Sequence, residues 1–218
     1  KQGLIIMKFK GVIFDLDGVL CFTDDYHYQA WKSLADDLNI YFDREINNRL
    51  RGVSRMASLD IVLEKSNKKY SEEEKVALAT KKNDIYVKLL DNITENDCSN
   101  EVRNTLLELK RRGIKIAIGS SSKNTPKILN RLGIYSYFDA ISDGNNITHS
   151  KPNPEVFLKA AQFINENPQD CLIVEDAIAG IDAGINGGFK TAAIGDATKY
   201  DKPDYKLNKL SDLLDICK

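Results

Sequence analysis

This chain is short of histidine and lacks suitably spaced cysteine. It has two His, and its four Cys (Cys21, Cys98, Cys171 and Cys217) are scattered, with no pair at metal-ligand spacing. Neither a zinc site nor a disulfide framework is favoured, and reduced thiols in the cytoplasm are the natural reading. Charge of one sign is also missing. With 31 Lys and Arg against 32 Asp and Glu, the net charge is -1. No global field draws the chain to nucleic acid or anionic lipid, so any phosphate must be bound by local groups. No apolar run approaches the roughly 18 residues that span a bilayer, which argues against a membrane partner. The opening Lys1-Gln2-Gly3-Leu4-Ile5-Ile6 is too short for a secretory signal. Met7 reads as a natural start, with the six residues before it as an addition. Internal repeats, low-complexity tracts and Pro/Gly-rich linkers are absent too, so any interdomain hinge is short.

What the chain has is material for a core: 218 residues, 42% of them hydrophobic, enough for one large domain with a modest insertion. Buried strands are expected at 12–14, 114–119, 140–142, 171–174 and 189–194, where β-branched residues cluster. Helical periodicity fills 101–112, 124–132, 154–166 and 177–186. Strand and helix therefore alternate, as in an α/β doubly wound parallel sheet, whose functional loops lie at the strand carboxyl ends. Residues 23–93 break the alternation, with helical patterns at 26–38, 54–63 and 71–90. They read as an inserted helical cap (23–93) on a core made of 1–22 and 94–218, the hinges falling near 22–23 and 94–98.

Three strand ends carry chemistry. Val12-Ile13-Phe14-Asp15-Leu16-Asp17-Gly18 ends an apolar run in paired carboxylates, an arrangement that costs stability unless a cation or a reaction needs it. One carboxylate can attack phosphorus while its neighbour carries a proton; the plainer reading is that these Asp cap the next turn or helix. Ser120, Ser121, Ser122, Lys123 and Asn124 join a strand end to a helix start, where backbone N-H groups and hydroxyls can cradle an anion, or where Ser and Asn merely cap the helix. Glu175-Asp176 ends another apolar strand, offering hard oxygen ligands suited to Mg²⁺, or an N-cap for the next helix. Between the last two, Ser150-Lys151-Pro152-Asn153-Pro154 holds one cation in a rigid turn, where it can balance a transferring phosphoryl group.

The order Asp15-x-Asp17-Gly18-Val19, Ser120, Lys151-Pro152, Glu175-Asp176 resembles the four-motif signature of the haloacid dehalogenase superfamily of phosphotransferases. The second Asp argues for phosphoryl transfer over dehalogenation, because it supplies an acid/base for an oxygen leaving group. Within that superfamily, Thr23-x-x-Tyr26-His27-x-x-Ala30-Trp31, Leu50-Arg51-Gly52-Val53-Ser54-Arg55-x-x-Ser58-Leu59 and Lys82-Asn83-x-x-Tyr86, with Ser122-Lys123-Asn124, resemble the β-phosphoglucomutase family over essentially the whole chain. The resemblance implies a Rossmann-like core with a helical cap, and interconversion of β-D-glucose 1-phosphate and β-D-glucose 6-phosphate through a 1,6-bisphosphate. It further implies Asp15 as nucleophile through an aspartyl-phosphate, Asp17 as acid/base, and Mg²⁺ held by Asp15, Asp17 (through its carbonyl), Glu175 and Asp176. Ser120, Ser121 and Lys151 would hold the transferring phosphate. Thr23, His27, Trp31, Gly52, Val53, Ser54, Arg55, Ser58, Lys82, Ser122, Lys123 and Asn124 would contact substrate. Small sugar phosphates would be the partners of a monomer, without nucleic acid or membrane. Phe22, Asp24, Thr125 and Asn153 depart from the family pattern without removing a catalytic group. The alternatives are a sugar-phosphate phosphatase on the same scaffold and, from another class, a receiver-like signalling module, which needs neither a lid nor a second proton carrier.

Overall fold

A computed structural model describes residues 8–218; the expectations about Met7 and the segment before it lie outside the described residues. Strand β1 (Gly11–Phe14) is followed by four helices, α1 (Asp24–Asp37), α2 (Arg44–Asn48), α3 (Arg55–Leu63) and α4 (Glu72–Leu89). The alternation then resumes with α5 (Asn100–Arg111), β2 (Lys115–Gly119), α6 (Thr125–Arg131), β3 (Ala140–Ser142), α7 (Glu155–Phe163), β4 (Cys171–Glu175), α8 (Ile178–Asn186) and β5 (Lys190–Ala193). A short β6 (Tyr205–Lys206) and α9 (Leu213–Ile216) complete the fold. The strands form one parallel sheet in the order β3-β2-β1-β4-β5-β6.

The pleat explains why these strands read as continuous apolar runs. Val12, Phe14, Ile116, Ile118, Leu172 and Val174 enter one cluster with Leu106 of α5 and Ile128 of α6, while Ile13, Ala117 and Ile173 enter another with Val156 and Phe157 of α7. Both faces are covered, as a parallel sheet requires. Helices α1 to α4 have an apolar cluster of their own, built on Trp31, Leu34, Leu59, Val62 and Ala79. Ala30, Tyr86, Leu90 and Ile93 instead join the sheet's cluster, so the roots of α1 and α4 pack on the sheet. Helix α4 starts at a capping box in which the Ser71 hydroxyl accepts from the Glu74 backbone and the Glu74 carboxylate accepts from the Ser71 N-H, which pins its first turn.

Register sets the site. Phe14 lies level with both Ile118 and Val174, and the Asp15 N-H donates to the Val174 carbonyl at 3.0 Å. One residue further along their strands stand Asp15 and Glu175, and two residues past Ile118 stands Ser120, so the three come to one rim.

Candidate active site

Lys151 is the hub of that rim. It is 3% exposed, and its ammonium donates to Asp15 Oδ1 at 2.8 Å and to Glu175 Oε1 at 2.6 Å. Burial alone would lower its pKa, but the two carboxylates outweigh that and raise it, so Lys151 stays charged. Glu175 is held from both sides. Its Oε2 accepts the N-H groups of Asp176 and Ala177 at 2.9 and 3.0 Å, satisfying the start of α8. Asp176 is thereby released from capping duty: the N-cap of α8 is Ala177, without a side-chain cap.

One oxygen from each of Asp15, Glu175 and Asp176 lies within 4.8 Å of the others. Burial, reinforced by the other acids, pushes Glu175 up to about 7 and Asp176 up to about 8. Lys151 bonds two of the three carboxylates, and the third meets only an Arg51 guanidinium at 3.4 Å that is shared with two other aspartates; the negative charge left over is the condition under which a hard divalent cation binds.

Two glycines make this density of acids possible. A Cβ on Gly18, whose φ is +83°, would lie 2.1 Å from Asp176 Oδ2, and one on Gly180 would lie 1.9 Å from the Glu175 carboxyl carbon. Gly180→Ala is therefore expected to eject Glu175 from beneath α8 and to lower stability by about 1–3 kcal/mol, measured as a lower urea midpoint at unchanged slope. A midpoint equal to that of the unaltered protein would show that Glu175 has somewhere else to go.

The Asp17 carboxylate turns away from the three acids. Its Oδ1 accepts the Thr23 N-H at 2.7 Å and its Oδ2 the Thr23 hydroxyl at 2.8 Å. The helix-capping reading is thus half right for Asp17, which satisfies the backbone at the entrance of α1. Burial pushes its pKa up to about 6 against the pull of the Thr23 hydrogen bonds, and any contact of Asp17 with a metal is left to its carbonyl oxygen. His27 Nε2 sits 3.7 Å from Asp17 Oδ2. Burial, with Lys82 and Arg55 nearby, lowers the His27 pKa well below the usual value, so this is a neutral imidazole and not an ion pair. Lys82 Nζ lies 3.0 Å from His27 Nδ1; when Lys82 is charged its ammonium can only donate, which places the ring proton on Nε2, on the Asp17 side.

Lys82 is 4% exposed, and burial followed by the Arg55 charge lowers its pKa to about 7. It lies 4.6 Å from the ring centroids of Trp31 and of Tyr86. Trp31, expected at the substrate, is 2% exposed in the helical cluster, where its ring supports Lys82. Ser54 caps α3 by accepting from Ala57, and Ser58, one turn on, is buried at 4% exposure. Half-buried Arg55 begins the same helix, its pKa lowered by burial.

Opposite them, the Ser120 hydroxyl accepts the Ser122 N-H at 3.2 Å and the Ser122 hydroxyl accepts the Asn124 N-H at 3.1 Å, two side-chain bonds that hold the loop in consecutive turns. Asn124 makes no capping bond to α6; its amide donates to Asn83 Oδ1 of α4 at 3.0 Å. Ser121 donates to the Gly52 carbonyl at 3.4 Å, where a φ of +72° turns the chain toward α8. These two bonds join the helical layer to the sheet's rim. Val53 adjoins that turn and Lys123 stands exposed on its loop. His149 lies outside this arrangement, paired with Glu155 in an open surface concavity of about 600 Å³ that contains none of the carboxylates.

Sequence reasoning quoted Arg51 within a motif but gave it no role. From the helical layer its guanidinium reaches Asp196 at 2.8 Å, Asp176 at 3.4 Å and Asp24 at 4.0 Å. Asp196 follows β5 and carries no local motif; only its place at the same strand-end rim could have flagged it.

Comparison with known proteins fits this geometry. The family model of haloacid dehalogenase-like hydrolases matches residues 9–188. The β-phosphoglucomutase of Bacillus subtilis is 41% identical over 206 residues, covering 94% of this chain and 91% of the relative. A phosphorylated carbohydrates phosphatase of Thermotoga maritima is 29% identical over 184 residues, covering 83% and 82%. The crystal structure of β-phosphoglucomutase from Clostridium difficile is similar at a TM-score of 0.89 with 43% identity, covering 94% of this chain and 93% of that one. On these matches the chain belongs to the β-phosphoglucomutase family of haloacid dehalogenase-like hydrolases.

Proposed function

We propose that the protein interconverts β-D-glucose 1-phosphate and β-D-glucose 6-phosphate through an enzyme-bound 1,6-bisphosphate, acting as a cytoplasmic monomer. The observation that carries this reading is the division of labour between the paired aspartates. Asp15 faces Lys151 and the other acids, whereas Asp17 is tied to Thr23 at the root of the helical layer. A phosphatase needs its proton carrier ready for water at all times; a mutase needs it withheld until sugar is present. Residues 23–93 act as the cap and 1–22 with 94–218 as the core, so closure of the cap moves Thr23 and frees Asp17.

In the forward step the Asp15 carboxylate attacks phosphorus in line, the bond from phosphorus to the sugar oxygen breaks, and Asp17 gives that oxygen its proton. In the return step Asp17 takes a proton from the other sugar hydroxyl as that oxygen attacks the aspartyl-phosphate. Lys151, Ser120 and Ser121 hold the phosphoryl oxygens. Asp15, Glu175, Asp176 and the Asp17 carbonyl would hold Mg²⁺, which supplies charge neutralisation for phosphoryl transfer. Arg55, Ser122, Lys123 and Asn124 grip the second phosphate, which only a mutase must retain, and Lys82, His27 and the 52–54 turn meet the sugar.

The test is incubation with Mg²⁺, β-glucose 1-phosphate and a trace of bisphosphate while glucose 6-phosphate and free phosphate are followed together. Release of phosphate alone would establish the sugar-phosphate phosphatase instead. Arg55→Ala is expected to cut mutase turnover by about tenfold to a hundredfold, the size of a lost charged hydrogen bond, with little effect on hydrolysis of a small activated phosphate ester. Equal damage to both would remove Arg55 from the phosphate grip.

A further inference from the structure

We propose that Tyr86 is a positioning residue for Asp17, acting through the Thr23 hydroxyl. The inference rests on the proton-carrier role given to Asp17 above. Tyr86 lies on α4 and is 1% exposed. Its hydroxyl is 3.1 Å from Thr23 Oγ1, which in turn is 2.8 Å from Asp17 Oδ2.

A threonine hydroxyl carries a single proton. Here the carboxylate takes it, so the phenol must be the donor in the other bond. Burial keeps the phenol protonated, its pKa raised well above the usual value. Among the described residues Thr23 is the only hydrogen-bond partner of that hydroxyl. A directed chain results, from Tyr86 to Thr23 to Asp17, in which each bond polarises the next.

The ring that carries the donor is itself fixed. It stacks on His27 with centroids 4.0 Å apart and 17° between planes, Lys82 sits 4.6 Å from its centroid, and it belongs to the apolar cluster that contains Phe14 and Leu90. Tyr86 is thus anchored to the sheet while touching the sugar-facing side chains of α1 and α4. Residues placed at the sugar and the residue that withholds the proton carrier share one aromatic ring.

Withholding matters because water competes with sugar for the aspartyl-phosphate. In the wasteful step a water oxygen bonds to phosphorus, the bond from phosphorus to the Asp15 oxygen breaks, and the proton leaving water goes to Asp17. Loosening the hold of Thr23 on Asp17 lets this step proceed without sugar.

The experiment labels Asp15 with acetyl phosphate and Mg²⁺, then chases the phosphoenzyme either with buffer or with glucose 6-phosphate. Tyr86→Phe, which keeps the ring and deletes the donor, is expected to speed decay in buffer by about threefold to tenfold, the weight of one hydrogen bond. The ratio of decay to capture by sugar phosphate rises with it. Thr23→Val removes the middle link, so adding Tyr86→Phe to Thr23→Val should cause no further change, and Thr23→Ser should keep decay slow. A merely structural tyrosine would change decay equally in both backgrounds. Unchanged or slower decay in Tyr86→Phe, or a full effect of Tyr86→Phe in the Thr23→Val background, overturns the proposal. Failure of the unaltered enzyme to pass phosphate to glucose 6-phosphate would overturn the mutase reading instead, and the buffer chase would still decide the role of Tyr86.

Discussion

Asp15→Asn is expected to reduce turnover of β-glucose 1-phosphate by roughly four orders of magnitude or more, as loss of a nucleophile does in enzymes with a covalent intermediate. An amide cannot attack phosphorus, and the neighbouring acids are engaged elsewhere: Glu175 is occupied by Lys151 and by the backbone of α8, Asp176 faces the Arg51 guanidinium at 3.4 Å, and Asp17 is turned toward Thr23. The fold should survive, because Lys151 keeps Glu175 as a partner at 2.6 Å. The measurements are turnover and acid-stable labelling by a phosphoryl donor, with circular dichroism to show that the sheet is intact. Labelling that persists in a folded Asp15→Asn protein would place the nucleophile elsewhere.

Lys151→Met should be the most damaging substitution for stability. Among the described residues it removes the only cation bonded to the buried pair of Asp15 and Glu175, and taking one partner from a buried ion pair costs about 3–5 kcal/mol. The direction with pH follows from the raised carboxyls. Glu175 at about 7 and Asp176 at about 8 both exceed the unfolded values near 4, so the unfolded chain sheds their protons first. Stability therefore falls as pH rises from about 4 toward those folded values. Removing Lys151 raises the folded values further and widens that window. In metal-free buffer the deficit of Lys151→Met relative to the unaltered protein should be larger at pH 8 than at pH 5.5. A deficit independent of pH would mean that lost packing against Phe157, 4.8 Å from the ammonium, is the dominant effect.

The strand ends were legible because a parallel sheet leaves so little freedom there. Once the runs ending in Asp15, Gly119 and Glu175 are read as neighbouring strands, their carboxyl ends must share a rim, and the observed register brings them level. Lys151 was legible through its flanking prolines. The short elements α2, β6 and α9 were not. With five, two and four residues, they fall below the length at which periodicity can be read, and tertiary contacts hold them in place.

Side-chain direction within the helical layer was also hidden. His27 and Trp31 lie one turn apart, and the sequence reading placed both at the substrate. Packing separates them: Trp31 turns into the cluster with Leu34 and Leu59, while His27 stacks on Tyr86. Arg51, named only as part of a motif, received no role because its partners Asp24, Asp176 and Asp196 come from three segments remote in sequence, and such a pairing exists only once the chain has folded. The turned-away carboxylate of Asp17 is likewise a conformational fact, set by a two-point grip from Thr23 that the sequence Asp15-Leu16-Asp17 does not encode.

The position of β1 has a consequence for how the protein comes into being. As the chain leaves the ribosome, Gly11–Phe14 emerges first, yet its neighbours Lys115–Gly119 and Cys171–Glu175 emerge only after all four helices of the 24–89 region are made. Local helices close quickly and distant strand pairing is slow, so the helical layer can condense while the central strand still waits. The nascent chain can therefore gather the Trp31 cluster of its helices before it has a reaction centre, and phosphoryl chemistry becomes possible only when Asp176 has cleared the exit tunnel.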